Sequence, residues 1–519
     1  MIKENKFRLI NANSLFLIVP LISFAGGLWQ GQYIYDGYHW GYIFTNVLEL
    51  ADGKTPYKEI YLEYGILSAL INYFILIFVN KSVYSLIAIT CALYAGSLYV
   101  ITKITYKIVG NKFYSLFSIF IIFSLFPWPT SPWPNFYSFF FTTLFCYLYF
   151  KNKSIYFILS GVSLGLAYLS LTIAYNFIIL FFYFILFVMI FFLKKKISPY
   201  QWKKLLYSLT SFLTVILIFF IYLKINNLEK IWFIYQKLPF IFNDSSIITL
   251  LKRYFYFLTT NAIKNFIYEP QWLIYSLLFY ANIIAIIYCI SNLGKKNIKY
   301  IFEFLVINIL ILSLNFYAQV LGIEKLATSI SLGTISLIFL ISLIKLKENK
   351  LLINFFIIFV CIYSVIFSFS LENSKIAGLR TAHLKHLDNK ETKYRENNIN
   401  YFKYQKWSGE NWKFLNNIFE LQNQIKQSCK IKYAANLTSN AYVHSLLNFD
   451  KIQIVPFFNK SNGKIIRSYI EPNLISKIQK EIDINNIFVV STENNDLLFN
   501  LNNYDEPLKI NLSDNKKKN

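Results

Sequence analysis

Apolar runs of membrane length recur along the chain, separated by short polar turns in which lysine dominates. A helical crossing needs about 20 apolar residues to traverse a hydrocarbon core of about 30 Å. Runs that meet or approach this length fall at 13–30, 82–101, 113–127, 136–150, 154–171, 174–193, 205–223, 271–291, 300–316, 329–345 and 351–370. They predict about 11 transmembrane helices. A twelfth run, Ile66–Val79, is shorter. At about 1.5 Å per residue it reaches only about 21 Å, which predicts a helix lying along the membrane surface. No segment alternates apolar and polar positions in the way an outer-membrane barrel requires.

After Ser370 the pattern turns polar and rich in asparagine. Within this tail KIKYAANLT, KIQIVPFF, NNIFVVST and DLLFNL read as short strands, with SNAYVHSLLNF helical between the first two. The predicted architecture is an all-α polytopic membrane domain over 1–370, with juxtamembrane helices in the first outer loop. A small C-terminal α/β extracytoplasmic domain follows over 371–519, with 511–519 expected to be disordered.

Composition sharpens the class. Of 519 residues, 56% are hydrophobic and 15% charged, where an ordinary soluble domain carries about 25% charged residues. That excludes a soluble globular enzyme, a disordered chain and a secreted disulfide scaffold. Cys91, Cys146, Cys289 and Cys361 lie inside apolar runs and Cys429 stands in the tail, so no disulfide framework or CxxC metal pair is available. A net charge of +24 would suggest nucleic acid in a soluble protein. Here the basic residues fill turns between apolar runs and no groove-reading motif accompanies them, so no nucleic-acid partner is expected. Abundant Asn, Ile, Lys, Phe and Tyr fit an AT-rich bacterial coding sequence. The expected location is therefore a bacterial inner or plasma membrane, with membrane lipids as neighbours.

Charge also orients the chain. With a cytoplasmic N-terminus and a non-crossing 66–79 helix, the inner segments hold 19 of the 29 basic residues before position 371. They include Lys3, Lys6 and Arg8, the Lys103–Lys112 turn, Lys151 and Lys153, Lys194–Lys196 with Lys203 and Lys204, Lys295–Lys299, and Lys345–Lys350. A crossing at 66–79 would turn every later lysine-rich turn outward, against the positive-inside rule. The polar tail and two long loops, 30–81 and 224–270, are then extracytoplasmic. The second loop mixes aromatics with basic residues, as interfacial amphipathic helices do.

Acid placement points to chemistry. Five of the 12 acids before position 371 cluster in the first outer loop: Asp36, Glu49, Asp52, Glu59 and Glu63. Asp36 sits just outside the first span. A carboxylate there can act as general base on a hydroxyl, or hold a divalent metal against a phosphate. His39 lies three residues on, so an Asp-x-x-His helical turn would aim both side chains into one cavity. The loop continues GKTPYKEIYLEYG, with a glycine turn, a proline-fixed bend and two carboxylates ahead of the shallow helix. Acids inside the apolar runs are nearly absent, which argues against a proton-coupled transporter. Neither a P-loop nor HExxH occurs.

This arrangement resembles the GT-C membrane glycosyltransferases, close to their bacterial protein-mannosyltransferase-like group. The matching residues are Asp36, then Gly53, Pro56, Tyr57, Lys58 and Glu59, then Tyr64, Gly65 and Leu67. The topology from residue 13 to about 223 is similar as well, whereas the short motifs match only in the first outer loop. The resemblance implies an inverting glycosyltransferase. Such an enzyme moves a sugar from a polyprenyl-phosphate-linked donor to a glycan, lipid or protein acceptor on the non-cytoplasmic face. It implies that Asp36 is the catalytic base or a metal ligand, with Glu59 and Glu63 as further ligands for Mg or Mn. Substrate contacts fall to His39 and Lys58, and to Lys237, Lys252, Arg253 and Lys264 in the second loop, which could face the leaving phosphate. One departure stands out. The loop between the third and fourth spans, PWPTSPWPNF, lacks the second acid of many family members, and Asn135 is its nearest polar candidate. Glu59 or Glu63 then replaces that ligand, or the reaction runs without metal. A polysaccharide polymerase or exporter, and a non-catalytic membrane assembly protein, are the alternative classes.

Overall fold

The computed structural model describes residues 12–33, 37, 39–60, 62, 64–129, 133–193, 196–233, 252, 256, 259–260, 262–264, 270–294, 300–318, 328, 330–344, 347–369, 395–396, 399–407, 409–428, 433–436, 442, 446, 450–451, 480 and 487–490. They are mostly helical and fall into two compact units. The first unit comprises Met1–Gly31, Ile87–Tyr222 and Ser245–Asn389, and the second Gln32–Leu86, Leu223–Asp244 and Lys390–Asn519.

The chain opens with α1 (Ala12–Leu15) and α2 (Ile18–Gly31), then α3 (His39–Ala51) and α4 (Ile66–Phe78). Next come α5 (Val83–Val109), α6 (Lys112–Leu125), α7 (Pro134–Tyr149), α8 (Ser154–Ser170), α9 (Thr172–Leu193) and α10 (Pro199–Ile225). The later helices are α11 (Gln271–Asn292), α12 (Ile301–Ala318), α13 (Gly333–Leu343) and α14 (Lys347–Phe369). Each apolar run read from the sequence overlaps one of these helices. Within the described residues, four segments are long and apolar enough to cross a membrane: Val83–Val109, Pro199–Ile225, Gln271–Asn292 and Glu348–Ile366. Shorter apolar helices occupy other runs, α4 among them.

In the first unit α2 and α5 run antiparallel in close contact. A β-carbon on Gly31 would fall 2.5 Å from Ile87 Cγ2, and one on Gly27 would fall 2.5 Å from Cys91 Sγ, so glycine permits the approach. At the other end Phe16 meets Tyr106, ring centroids 5.5 Å apart, and Lys103 Nζ lies 5.3 Å from the Phe16 ring. The chain thus leaves this unit at Gly31 and re-enters it at Ile87, two residues in contact. The intervening segment begins and ends at one end of the α2–α5 pair.

The lysine-rich turns gather at the opposite end. Lys107 donates to the Phe150 carbonyl and lies over the Tyr300 ring. Lys204, fully buried at the start of α10, forms a 2.9 Å ion pair with Glu303 in the first turn of α12 and lies over the Tyr149 and Phe157 rings. Asn354 Nδ2 donates to Tyr114 Oη, and Lys350 lies over that ring. Taking one partner away from the buried pair strands the other charge. Lys204→Met is therefore expected to cost about 3–5 kcal/mol. Lys204→Met combined with Glu303→Leu should recover most of that, as read by thermal unfolding in detergent.

Midway along the helices a polar network joins α11, α12 and α13. Asn282 Nδ2 donates to Asn308 Oδ1 at 2.8 Å, and Ser336 Oγ donates to the same oxygen at 2.6 Å. Asn308 returns its own amide to the Phe304 carbonyl at 2.7 Å. In an apolar surround such bonds fix helix register more than they add stability.

The second unit has a different make-up. The short helices α3 and α4 pack on each other, and α15 (Gly409–Ser428) lies in the tail. Strand β1 (Arg395–Glu396) pairs antiparallel with β2 (Lys406–Trp407). Three further strands, β3 (Tyr433–Asn436), β4 (Asp450–Lys451) and β5 (Ile487–Val490), pair in parallel with β3 in the centre. These lie within or at the edge of three of the four stretches read as strands, and DLLFNL lies outside the described residues.

Candidate functional site

The first outer loop folds into a defined object inside the second unit. Helix α3 buries nearly every residue from Trp40 to Glu49, an all-round burial unlike that of an interfacial helix. Glu49 is fully buried and forms a 2.9 Å ion pair with Lys54 across the turn that ends α3. That turn is made by Gly53 at φ +83°, a left-handed conformation that glycine adopts without steric cost.

The PYKE stretch then closes into a compact knot. The Thr55 carbonyl accepts from the backbone N–H groups of Lys58, Glu59 and Ile60, while the Thr55 N–H donates to Glu59 Oε2 at 2.8 Å. That backbone N–H bond, aided by the Thr55 hydroxyl and by Lys58 and Lys54, holds the Glu59 carboxyl below its ordinary pKa. Its contribution to the loop is complete above the ordinary carboxylate pKa of about 4.3 and lost as pH falls through the lower folded value.

Tyr57, between Pro56 and Lys58, is fully buried at φ +65°. A bulky residue in the left-handed region costs about 1–2 kcal/mol, so the surrounding packing must over-determine it. The Tyr57 N–H donates to the Ile60 carbonyl at 3.0 Å. Beyond Leu62, also buried, Tyr64 meets Tyr42 of α3 edge-on, and Gly65 leads directly into α4. Apolar residues Phe74, Ile77, Phe78 and Val79 at the far end of α4 are exposed, the pattern of a helix seated in lipid.

The tail braces this loop. The Lys406 N–H donates to the Gln32 carbonyl at 2.6 Å. Phe44 of α3 packs against Tyr401 and Phe402, at 5.5 Å and 6.4 Å between centroids, and Tyr84 against Tyr404 at 5.8 Å. Phe402, Trp407 and Tyr442, all fully buried, form one aromatic cluster. The stretch from Gln32 to Phe44, which includes position 36, is thus held at both ends by tail residues.

In the first unit, Gln30 near the end of α2 is fully buried. Its Oε1 accepts from Trp128 Nε1 at 2.5 Å, while its Nε2 has no hydrogen-bond partner. Asn135 in the first turn of α7 is also buried, with Oδ1 unbonded. Both flank the proline-rich 127–134 loop, which the Ser23 hydroxyl anchors by donating to the Pro127 carbonyl.

The residues singled out from the sequence divide as follows. Asp36, Glu63, Lys237 and Arg253 lie outside the described residues. His39 is half-buried and is the first residue of α3. The expected Asp-x-x-His pair therefore has only its histidine among the described residues. Lys58, Lys252 and Lys264 are exposed. Glu59 is exposed, and its Oε2 accepts from the Thr55 N–H. Among the described residues no group of three His, Cys, Asp or Glu side chains could hold a metal ion. Sequence reasoning missed the Glu49–Lys54 pair, the Gln30–Trp128 bond and the tail brace. The signal for the brace was the aromatic density of NYFKYQKW.

No protein-family model matches the chain, and no curated protein matches it significantly.

Proposed function

We propose that this protein is an inverting membrane glycosyltransferase that uses a polyprenyl-phosphate-linked sugar and acts on the extracytoplasmic face. The observation that carries this reading is the fold of the first outer loop. The residues that resemble the GT-C pattern, Gly53, Pro56, Tyr57 and Glu59, build one turn between two short helices, pinned by the buried, strained Tyr57, and the tail holds the chain on either side of position 36. Strain kept at such cost is characteristic of functional loops.

The topology agrees with it. Gly31 and Ile87, in contact at one end of the α2–α5 pair, favour a loop that begins and ends on one side over a single crossing by way of α4. Together with the lysine-rich turns at the other end, this supports about 11 crossings, an inner N-terminus and an outer tail with its own α/β domain.

In the proposed reaction the acceptor hydroxyl oxygen bonds to the anomeric carbon, and its proton passes to the Asp36 carboxylate. The bond from that carbon to the lipid phosphate oxygen breaks on the opposite face, and its electron pair leaves with the phosphate. One displacement inverts the centre. Lys58, Lys237, Lys252 and Arg253 supply positive charge toward the leaving phosphate, and His39 contacts substrate. Asp36, Glu59 and Glu63 would hold Mg or Mn if one were bound, and the ion would supply Lewis-acid chemistry toward the leaving phosphate. No step depends on it.

The test is to incubate membranes containing the protein with candidate polyprenyl-phosphate sugars. Release of polyprenyl phosphate with a new glycosidic product of inverted configuration is expected. Product formed equally in membranes lacking the protein would reject the reading in favour of an exporter or an assembly protein.

A further inference from the structure

At the lysine-rich end of the first unit, a groove of about 390 Å³ runs between α1–α2, α6 and α14. It is lined by Leu15, Ile18 and Val19, by Phe113, Leu116, Phe117 and Phe120, and by Ile358, with no polar surface. The four α6 residues fall at i, i+3, i+4 and i+7, one helical stripe, so the groove follows that helix. Its volume is near the lower end of the range for small-ligand clefts, about 300–1,000 Å³. Ile18 and Phe113 on its rim are themselves exposed, so the groove opens laterally to whatever surrounds the helices.

What lies at its mouth decides the occupant. Lys112, exposed, immediately precedes the groove residue Phe113. Lys350 lies 5.2 Å from the ring of Tyr114, the next residue. Lys103 lies 5.3 Å from the ring of Phe16, which follows the groove residue Leu15. Three lysines from three helices thus stand within a residue or one ring contact of the residues that line this end of the slot. The acid among the described residues of these helices is Glu348, exposed at the start of α14. A slot without polar atoms takes a hydrocarbon chain, and ammonium groups at its mouth take an anionic head group.

We propose that this groove is a binding site for an anionic glycerophospholipid of the leaflet at the lysine-rich end, with one acyl chain along α6 and the head-group phosphate among Lys103, Lys112 and Lys350. The site is remote in sequence from the acids of the first outer loop and does not depend on the glycosyltransferase reading. Lysines that merely snorkel to any head group would show no requirement for the slot. A built site needs both slot and charge.

The experiment uses the full chain in mild detergent, exchanged into micelles holding equal phosphatidylglycerol and phosphatidylethanolamine, with retained lipid read by native mass spectrometry. Wild-type protein is expected to retain phosphatidylglycerol preferentially. Each of Lys112→Gln and Lys350→Gln should lower that occupancy about fivefold. Leu116→Trp, which fills the slot, should abolish retention while leaving all charges in place. Exposed Lys112 makes the first variant safe for folding, and gel filtration checks all three. Equal retention of the two lipids by wild type, or phosphatidylglycerol retention unchanged by Lys112→Gln or by Leu116→Trp, would overturn the proposal.

Discussion

Asp36→Asn is expected to lower sugar transfer by about 10²–10⁴-fold while the protein accumulates in the membrane at normal levels. The substitution keeps size and shape and removes only the ability to accept a proton. In the proposed reaction a base takes the acceptor proton as the new bond forms, and two other acids of the loop already have partners. Glu49 is buried against Lys54, and Glu59 is committed to the Thr55 turn. Glu59→Gln provides the contrast, because its amide oxygen can still accept from the Thr55 N–H, so transfer should persist. Normal product from the Asp36→Asn protein would remove Asp36 from the chemistry. Loss from Glu59→Gln equal to that from Asp36→Asn would move the catalytic role into the turn.

The second large effect falls on the tail brace. Phe402 is fully buried, 4.5 Å from Trp407 and 5.0 Å from Tyr442 between ring centroids, and touches Phe44 of α3 as well. Truncation removes the ring and leaves a cavity that aromatic neighbours cannot collapse to fill. Phe402→Ala is expected to cost about 3–5 kcal/mol, and Phe402→Leu clearly less. The loss should appear as a lower unfolding temperature and as protease cleavage within the first outer loop, with transfer falling in parallel. A Phe402→Ala protein as resistant as wild type would mean that tail and loop are energetically independent.

Much of the helical plan was legible because membrane crossing imposes one dominant rule on length and polarity. The run 271–291 became Gln271–Asn292 nearly residue for residue. The run 82–101 grew to Val83–Val109, because Lys103 and Lys107 do not end the helix; their ammonium groups lie over aromatic rings at its end. The lysine turns were equally readable, and Lys107, Lys204 and Lys350 do gather at the end where α2 begins. Less legible was α3. HWGYIFTNVLELA carries one acid and little other charge, and nothing in its spacing says that it buries all faces, since its covering comes from α4 and from tail residues more than 350 positions away. The candidate site was legible as composition but not as geometry. Five acids in one loop suggested a ligand cluster, yet Glu49 and Glu59 are taken up by Lys54 and Thr55, partners four to five residues away that a pattern of acids alone does not reveal.

The central claim is that α4 does not cross the membrane, so that the loop carrying Asp36 begins and ends on one side. Asp52 and Lys81 are both exposed and flank α4 at its two ends. In a Cys429→Ser background, where Cys91, Cys146, Cys289 and Cys361 are buried, single cysteines at 52 and 81 can be probed in intact cells with a membrane-impermeant maleimide. Both positions are expected to label from outside without permeabilisation. Labelling at 52 from outside with labelling at 81 only after permeabilisation would contradict the account.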